Sequence, residues 1–463
     1  MKKLLPILFV LFALSASAQT AADSVRNHRI DKLLKVLGEF RVQAYAQVEW
    51  QRADTVGAKG YAAGNFPTLA QSRFLVRRGR LKLSYDHTGN KGFRVFEGAF
   101  QFDATEKGFN ALKDLYGRVI DPWTGWIGFQ GGIFLRPFGY ESPAAPATHE
   151  SPEFARMNQI IMPNECEIGE AIVIESPKTF KPVYLRLDAS LVNGEGVGNA
   201  SNAPSATGGL ATGAYQNAKD FIGRIKFAKT FDTKAVKIGI SASASYYRGS
   251  VMQTSKNVYE LKNNALGNLV YTNIADSTGI NKTDYKREYY GAHAQIDLDY
   301  SIGSTMLRGE FIGGVLPGTS SSDAAPLGLG NAAPVATDLY IRHFNGGIFY
   351  LTQTIKAKLK NGHVMYNDFT FKYDVFTPNT QVAQKNLSSA NDAKVNGQDI
   401  QYSTFGVGYV FRPYDYFKLM VWYDVVKNST NSGIANWGHD YKDNVLTIRT
   451  QFYFDSFWFN KNK

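Results

Sequence analysis

The sequence predicts an all-β protein, an antiparallel transmembrane β-barrel of about 16 strands. About sixteen segments, each roughly 9 to 11 residues long, alternate apolar and polar side chains, and this is the length that a tilted strand needs to cross a bilayer. Aromatic residues form 14% of the chain, glycine contributes 43 residues, and there is one cysteine. That single cysteine excludes an intramolecular disulfide framework.

The first 18 residues predict a signal peptide. Lys2 and Lys3 precede a short apolar run, and Ala16-Ser17-Ala18 forms a site that a signal peptidase can cut before Gln19. The alternative, an uncleaved N-terminal anchor, is disfavoured because the apolar run is too short to span a bilayer. Residues 19–39 have a weak helical pattern and are interpreted as a short helix or tail, and residues 40–463 as the barrel.

The sequence alternates with a period of two from Phe40 onward. In the first segment Val42, Ala44, Ala46 and Val48 lie on one predicted face, opposite Arg41, Gln43, Tyr45, Gln47 and Glu49. The second segment, FLVRRGRLKLSYD, is more unusual, because Arg78, Arg80 and Lys82 share one face while Leu75, Gly79, Leu81 and Leu83 share the other. Arg77 interrupts the apolar face.

Two β architectures produce such alternation. A soluble sandwich turns its apolar faces inward, whereas a membrane barrel turns them outward and lines its interior with polar groups. The polar faces here carry charges of both signs at strand centres, for example Arg186 and Asp188, and Lys372 and Asp374. This pattern favours the barrel, in which sixteen closed strands leave no edge unpaired.

The connections are of two kinds, as expected for a barrel with short turns on one side and long loops on the other. Short turns are predicted at residues 86–92, 229–235 and 411–417. Long polar loops are predicted at 53–72, 193–213, 250–285 and 318–342. Aromatic pairs near strand ends, such as Tyr246-Tyr247 and Tyr289-Tyr290, are candidates for girdles at the membrane interface.

The formal net charge is +11, which favours anionic partners. No nucleic-acid-binding module is visible, so small anions or a lipopolysaccharide surface are the better candidates. HExxH, GxSxG and P-loop patterns are absent from the sequence, and the seven histidines lack metal-ligand spacing. The sequence therefore predicts neither an enzyme nor a cofactor.

Two segments resemble the first hairpins and the constriction region of the phosphate-selective porin O and P family. They are Ser72 to Leu81 (SRFLVRRGRL) and Gly131 to Glu141 (GGIFLRPFGYE). Weaker likeness continues at Val192 to Gly196, Arg308 to Phe311, Lys372 to Val375 and Arg449 to Phe454. The resemblance implies a sixteen-stranded outer-membrane barrel, usually trimeric, that passes anions by diffusion. It also implies an inward-folding loop after the fifth strand.

The candidate pore-lining cations are those that lie on polar faces. A row of cations spaced two residues apart in a narrow tube raises the local concentration of anions. The alternative is a structural network in which carboxylates on the same faces neutralise them. The candidates are Arg78, Arg80, Lys82, Arg41, Arg118, Arg136, Arg186, Arg224, Lys226 and Arg449.

The predicted constriction loop, Pro137 to Ile168, departs from a phosphate-binding pattern. It contains five glutamates, including Glu141, against Arg156 and His149. Phosphate selectivity therefore does not follow from the sequence, whereas passage of small anions does. The leading hypothesis is a water-filled outer-membrane porin for passive diffusion, with lipid and lipopolysaccharide around it. The alternative is a secreted or surface-bound β-sheet binding protein without channel activity.

Overall fold

The computed structural model describes residues 38–58, 64–104, 111–162, 165–177, 180, 183–194, 219–253, 257–267, 269–275, 283–319, 338–382, 399–430 and 438–457. The predicted signal peptide (1–18), and all of the predicted helix or tail (19–39) except its last two residues, lie outside the described residues. No helix in the described ranges combines the length and the apolar character needed to cross a membrane.

The described residues form eighteen strands and a short helix, α1 (Arg156–Ile161). The strands are β1 (Phe40–Ala53), β2 (Ser72–Thr88), β3 (Arg94–Asp103), β4 (Ala111–Ile120), β5 (Ile127–Leu135), β6 (Cys166–Glu175), β7 (Tyr184–Val192), β8 (Asp220–Asp232), β9 (Lys237–Gln253), β10 (Val258–Asn263), β11 (Leu269–Asn273), β12 (Thr283–Tyr300), β13 (Gly303–Thr319), β14 (Leu339–Lys358), β15 (Val364–Thr377), β16 (Tyr402–Tyr414), β17 (Phe417–Asn428) and β18 (Val445–Asp455).

Sixteen of these strands close into one antiparallel barrel, because each pairs with its neighbour in sequence, β9 pairs with β12, and β18 returns to pair with β1. Strands β10 and β11 form a hairpin outside this ring. The predicted all-β barrel of about 16 strands is thus confirmed. Closure satisfies the backbone groups that a sheet edge leaves open, as a lipid environment requires.

The two faces of the wall differ as the alternation predicts. Phe74 and Val119 are 80% and 62% exposed, whereas Gln47 and Glu49 are each 1% exposed. The outer face therefore carries the apolar side chains and the inner face the ionic ones. An apolar outer face of this kind is suited to contact with lipid acyl chains. The described strands do not stack into the two sheets of a soluble sandwich, the alternative architecture.

The faces of β2 differ from the prediction on one side of a β-bulge. Gln47 of β1 lies opposite Arg78, but the next residue, Val48, lies opposite Val76, so Arg77 is the extra residue. The bulge reverses the parity, and Leu75 shares the inner face with Glu49 instead of lying on the apolar one. It also turns both Arg77 and Arg78 inward, where each contacts Glu153.

The connections alternate between short turns and longer segments all around the barrel. One end holds seven connections of two to eight residues, among them the predicted turns, together with the start of β1 at Phe40 and the end of β18 at Asp455. The other end holds the remaining connections, most of them longer, and the greater part of the predicted loops 193–213 and 318–342 lies outside the described residues. The stretch 250–285 was predicted as a polar loop, and this is wrong in part, because it contains the ends of β9 and β12 and the β10–β11 hairpin.

The β10–β11 hairpin docks at the long-loop end of β14. Its residues Val258–Glu260 pair in parallel with Leu339–Ile341. The Tyr271 hydroxyl donates to Asp399 at 2.8 Å. The same carboxylate accepts from the buried guanidinium of Arg342 at 2.9 Å. The hairpin is thereby fixed to the segment between β15 and β16.

An apolar core fills part of the barrel interior in its long-loop half, which the expectation of a polar lumen did not include. Side chains of α1 and of the preceding loop pack against inward-facing residues of β8, β13, β14 and β15. The members include Phe138, Met157, Ile161, Ile222, Ile312, Phe344, Ile348 and Phe376. Tyr247 and Tyr289 also face inward and are buried, so within these two pairs the outward Tyr246 and Tyr290 remain girdle candidates.

Candidate pore constriction

The segment between β5 and β6, residues 136–165, folds into the barrel and contacts its inner wall. This confirms the predicted inward loop after the fifth strand. Glu141 organises the loop, since its buried carboxylate accepts from the Ala155 N–H (2.9 Å), the Asn158 side-chain amide (2.6 Å) and the Tyr350 hydroxyl (3.1 Å). The first two contacts stabilise the start of α1, and the third fixes the loop to β14.

The beginning of the loop is held by Glu310 of β13. Its carboxylate accepts from the backbone N–H groups of Tyr140 (2.7 Å) and Glu141 (3.2 Å). Gly139 precedes them with φ of +66°, and a Cβ at this position would overlap the Glu310 Oε1 atom. Glycine is therefore required here both for the left-handed backbone and for the close approach of the carboxylate.

Three arginines converge on Glu153 near the middle of the loop. Arg77 (2.9 Å), Arg78 (2.9 Å) and Arg449 (2.6 Å) each donate to its carboxylate. Arg449 also pairs with Glu49 at 2.5 Å, so three guanidinium groups share two carboxylates. Burial alone would raise the pKa of Glu153, but Arg77, Arg78 and Arg449 hold it well below its usual range.

Two further glutamates of the loop bind wall arginines. Arg80 pairs with Glu165 at 3.0 Å and with Asp103 at 2.9 Å. Arg308 donates to both oxygens of Glu150, at 2.9 and 3.0 Å. These bidentate contacts have the fork geometry in which arginine–carboxylate pairs are strongest.

The loop backbone is bound as well. The Lys418 ammonium donates to the carbonyls of Ala147 (3.1 Å) and His149 (3.3 Å), and Gln451 donates to Ala147 at 3.1 Å. The loop is therefore attached to β17 and β18 on one side and to β13 and β14 on the other. It divides the interior at this level.

The remaining predicted cations lie at several heights of the inner wall. Lys82 pairs with Asp114 at 2.7 Å, Arg118 with Glu97 at 2.5 Å and Arg136 with Glu167 at 2.6 Å. Arg41 pairs with Asp455 near the short-turn end. Arg156 lies in α1 with its guanidinium 3.7 Å from the centre of the Tyr402 ring.

Arg186, Arg224 and Lys226 form a separate group on β7 and β8, which we call the β7–β8 cluster. Arg186 lies opposite Lys226, and Asp188 lies opposite Arg224 in the register. Both arginines bind Asp188, at 2.8 and 2.9 Å. Among the described residues no carboxylate lies within ion-pair distance of the Lys226 ammonium, which lies 6.0 Å from the Tyr140 ring of the loop.

Two cavities flank the loop inside the barrel. One of about 560 Å³ lies between loop residues 147–150 and the inner faces of β12 to β18. Another of about 200 Å³ is lined by Lys82, Arg118, Arg186 and Arg224. Glu97, Asp114 and Asp188 line the same cavity. The structure thus brings Arg118 together with the two arginines of the β7–β8 cluster at one cavity, but it separates them from Arg78 and Arg449, which are buried under Glu153.

Arg77, Arg308 and Lys418 are loop-binding residues that were not among the predicted site residues. Alternation assigns Arg308 and Lys418 to the polar faces of their strands, and the structure confirms that both point inward to the loop. Arg77 could not be assigned, because the bulge is invisible to the alternation. The partners of all three lie in the loop, whose path inside the barrel the sequence did not provide.

Several solved structures of outer-membrane proteins are similar to this chain in architecture. OprB of Pseudomonas putida aligns at 11% identity over 91% of this chain and 96% of its own, with a TM-score of 0.50. The anion-selective porin from Comamonas acidovorans aligns at 10% identity over 90% and 98%, with a TM-score of 0.46. The outer-membrane channel DcaP of Acinetobacter baumannii aligns at 12% identity over 90% and 97%, with a TM-score of 0.46.

The chain has the porin fold. No protein-family model and no curated protein matches its sequence, so at these identities the likeness is one of architecture. The porin fold is a transmembrane barrel of the outer-membrane type, in agreement with the location that the sequence predicts.

Proposed function

We propose that this protein is an outer-membrane porin that passes small, preferably anionic solutes by passive diffusion, and that its anion preference arises at the β7–β8 cluster. The single observation that carries the proposal is the excess of cations there. Arg186 and Arg224 share Asp188, and Arg186 also pairs with Glu175 at 3.4 Å, while Lys226 has no carboxylate partner among the described residues. Cations beside a narrow aqueous path lower the barrier for anions.

The arginine row of β2 contributes less in this proposal. Arg78 and Arg80 are 4% and 6% exposed, and loop glutamates bind both. A guanidinium that is already paired and covered attracts a passing anion only weakly. In this chain the row serves mainly to anchor the loop, which is the structural alternative considered for it.

Replacing Lys226 by glutamine tests the assignment. The change should lower the anion-to-cation permeability ratio by roughly fivefold, because one partly screened charge beside the path is worth on the order of 1 kcal/mol. The ratio is measured from reversal potentials across planar bilayers under a salt gradient. Lys286→Gln is the matched control, since Lys286 of β12 makes its ion pair with Glu288, next to the outward-facing Tyr246 and Tyr290.

A cation-preferring native channel, or the absence of conductance steps, would contradict the proposed function as a whole. Equal ratios for the Lys226→Gln variant and the native protein would contradict only the place assigned to the selectivity. Parallel measurements with Arg78→Gln would then show whether the β2 row carries it instead.

Phosphate is one solute within this class, and membership in the phosphate-selective porin O and P family is part of the proposal, supported by the motifs in β2 and β5. We also propose a homotrimer. One similar barrel, OmpT of Vibrio cholerae, is described in a trimer form. Light scattering of the detergent-solubilised protein checks the oligomeric state, and a monomer mass would contradict the trimer.

A further inference from the structure

A second cavity at the short-turn end of the barrel has an aromatic lining that the proposed function does not use. It has a volume of about 430 Å³, within the size range of small-molecule sites. Phe93, Trp126, Phe180 and Tyr184 line it. The first three come from three successive short connections, and Tyr184 is the first residue of β7. We call it the mouth cavity.

The aromatic lining is not accounted for by a membrane girdle. Girdle residues lie exposed on the outer face of a barrel. Trp123, in the turn between β4 and β5, is 74% exposed. Trp126, three residues later, has the parity of the inward-facing Gly128 and Gln130 and shares the cavity with inward-facing Arg118 and Glu175. The Trp126 and Phe180 rings meet edge to face with their centres 5.2 Å apart.

The polar groups around these rings are paired with one another. Arg118 binds Glu97 at 2.5 Å and Glu175 at 3.3 Å, and Arg94 also binds Glu97. The Tyr184 hydroxyl donates to Glu175 at 2.8 Å. Among the described residues the cavity therefore offers N–H donors and carboxylate acceptors whose charges already compensate each other.

This combination selects a class of ligand. An ion would find its counter-charge already bound, whereas a neutral molecule with several hydroxyl groups can use donors and acceptors together. Aromatic faces provide the apolar contact that the C–H face of a saturated ring needs. We propose that the mouth cavity is a binding subsite for a neutral sugar ring, stacked on Trp126 and Phe180.

The proposal concerns the short-turn end and is independent of the anion preference. The mouth cavity adjoins the 200 Å³ cavity, with which it shares Arg118 and Val173. A solute that has passed the β7–β8 cluster therefore meets the aromatic rings before it leaves the barrel. Such a subsite would allow a neutral solute to use a passage that has a cationic section.

Saturation-transfer NMR with glucose, on the full chain in detergent micelles, tests the subsite without relying on conductance. Glucose should give a saturable signal. Trp126→Ala should raise the apparent Kd for glucose roughly tenfold, because the contact with the indole ring is lost. Phe180→Ala should also weaken it, and because Phe180 is 39% exposed in a turn, this variant is the safer one for folding. Trp123→Ala, in the same turn as Trp126, is the matched control and should bind as the native protein does.

Three results would overturn the proposal. They are an absence of saturable glucose binding to the native chain, native affinity in both the Trp126→Ala and Phe180→Ala variants, and loss of affinity in Trp123→Ala equal to that in Trp126→Ala. Displacement of glucose by inorganic phosphate at equal concentration would likewise reject the neutral ligand in favour of an anion.

Discussion

A Glu153→Gln variant should lose on the order of 3 kcal/mol of folding stability, because removing one member of a buried ionic group leaves its partners uncompensated. Arg449 would keep its ion pair with Glu49, whereas Arg77 and Arg78 would lose the ion pairs that they form with Glu153. The loop would lose its central attachment to β2 and β18. Samples are heated to a series of temperatures before gel electrophoresis. The temperature at which the folded band converts to the unfolded band measures this loss of stability.

The same variant should shift ion preference further toward anions, since it removes one negative charge from the interior. Glu288→Gln is the matched control, because Glu288 forms an ion pair with Lys286 at a site away from the loop, and such surface pairs contribute little. If the Glu153→Gln and Glu288→Gln proteins unfold at the same temperature, Glu153 does not anchor the loop as described.

A Gly139→Ala variant should lose about 3 kcal/mol of folding stability. Alanine is strained in the left-handed backbone conformation, and its Cβ would overlap the Glu310 carboxylate. Relief requires the Glu310 carboxylate to leave the N–H groups of Tyr140 and Glu141. The start of the loop would move, and with it the Tyr140 ring beside Lys226. We therefore expect altered single-channel conductance as well as lower stability.

Gly362→Ala separates the two contributions to this effect. Gly362 has φ of +86° in the β14–β15 turn, and a Cβ there would have no neighbour within 4 Å. The Gly362→Ala protein should lose only about 1 kcal/mol of folding stability, because the backbone strain is present without the overlap. Equal losses of stability in the Gly139→Ala and Gly362→Ala proteins would show that the Glu310 carboxylate yields without cost.

The strands and most side-chain directions were predictable because alternation is a local property. Gln47, Glu49 and Arg449 were assigned to inner faces from parity alone, and the register confirms that they face inward. Parity fails where an extra residue enters a strand, and Leu75 was therefore assigned to the wrong face. Nothing in the spacing of FLVRRGR shows which residue bulges, since that depends on the partner strand.

The ion pairs of the loop were not predictable, because they join residues that are distant in sequence. Arg449 and Glu153 meet only after the barrel has closed and the loop has entered it. Counting charges in the loop indicated that it is acidic, but the count did not show that wall arginines take up those carboxylates. The inner apolar core was missed for a similar reason, since Ile222 and Phe376 have the parity of lumen residues and pack against a helix that the sequence places in a loop.

The pairing of β1 with β18 sets the order in which the molecule can be completed. Eleven residue pairs join these two strands, from Gln43 with Asp455 to Ala53 with Val445. While the chain is being delivered from its N-terminus, the hydrogen-bonding groups on the free edge of β1 have no partner strand, because β18 lies about 400 residues later in the sequence. Contacts of such separation form late, and the waiting edge is a template for association with other chains. Assembly of this barrel therefore requires that the β1 edge be shielded until β18 pairs with it. A chain truncated before Val445 would remain an open sheet with unpaired, aggregation-prone edges.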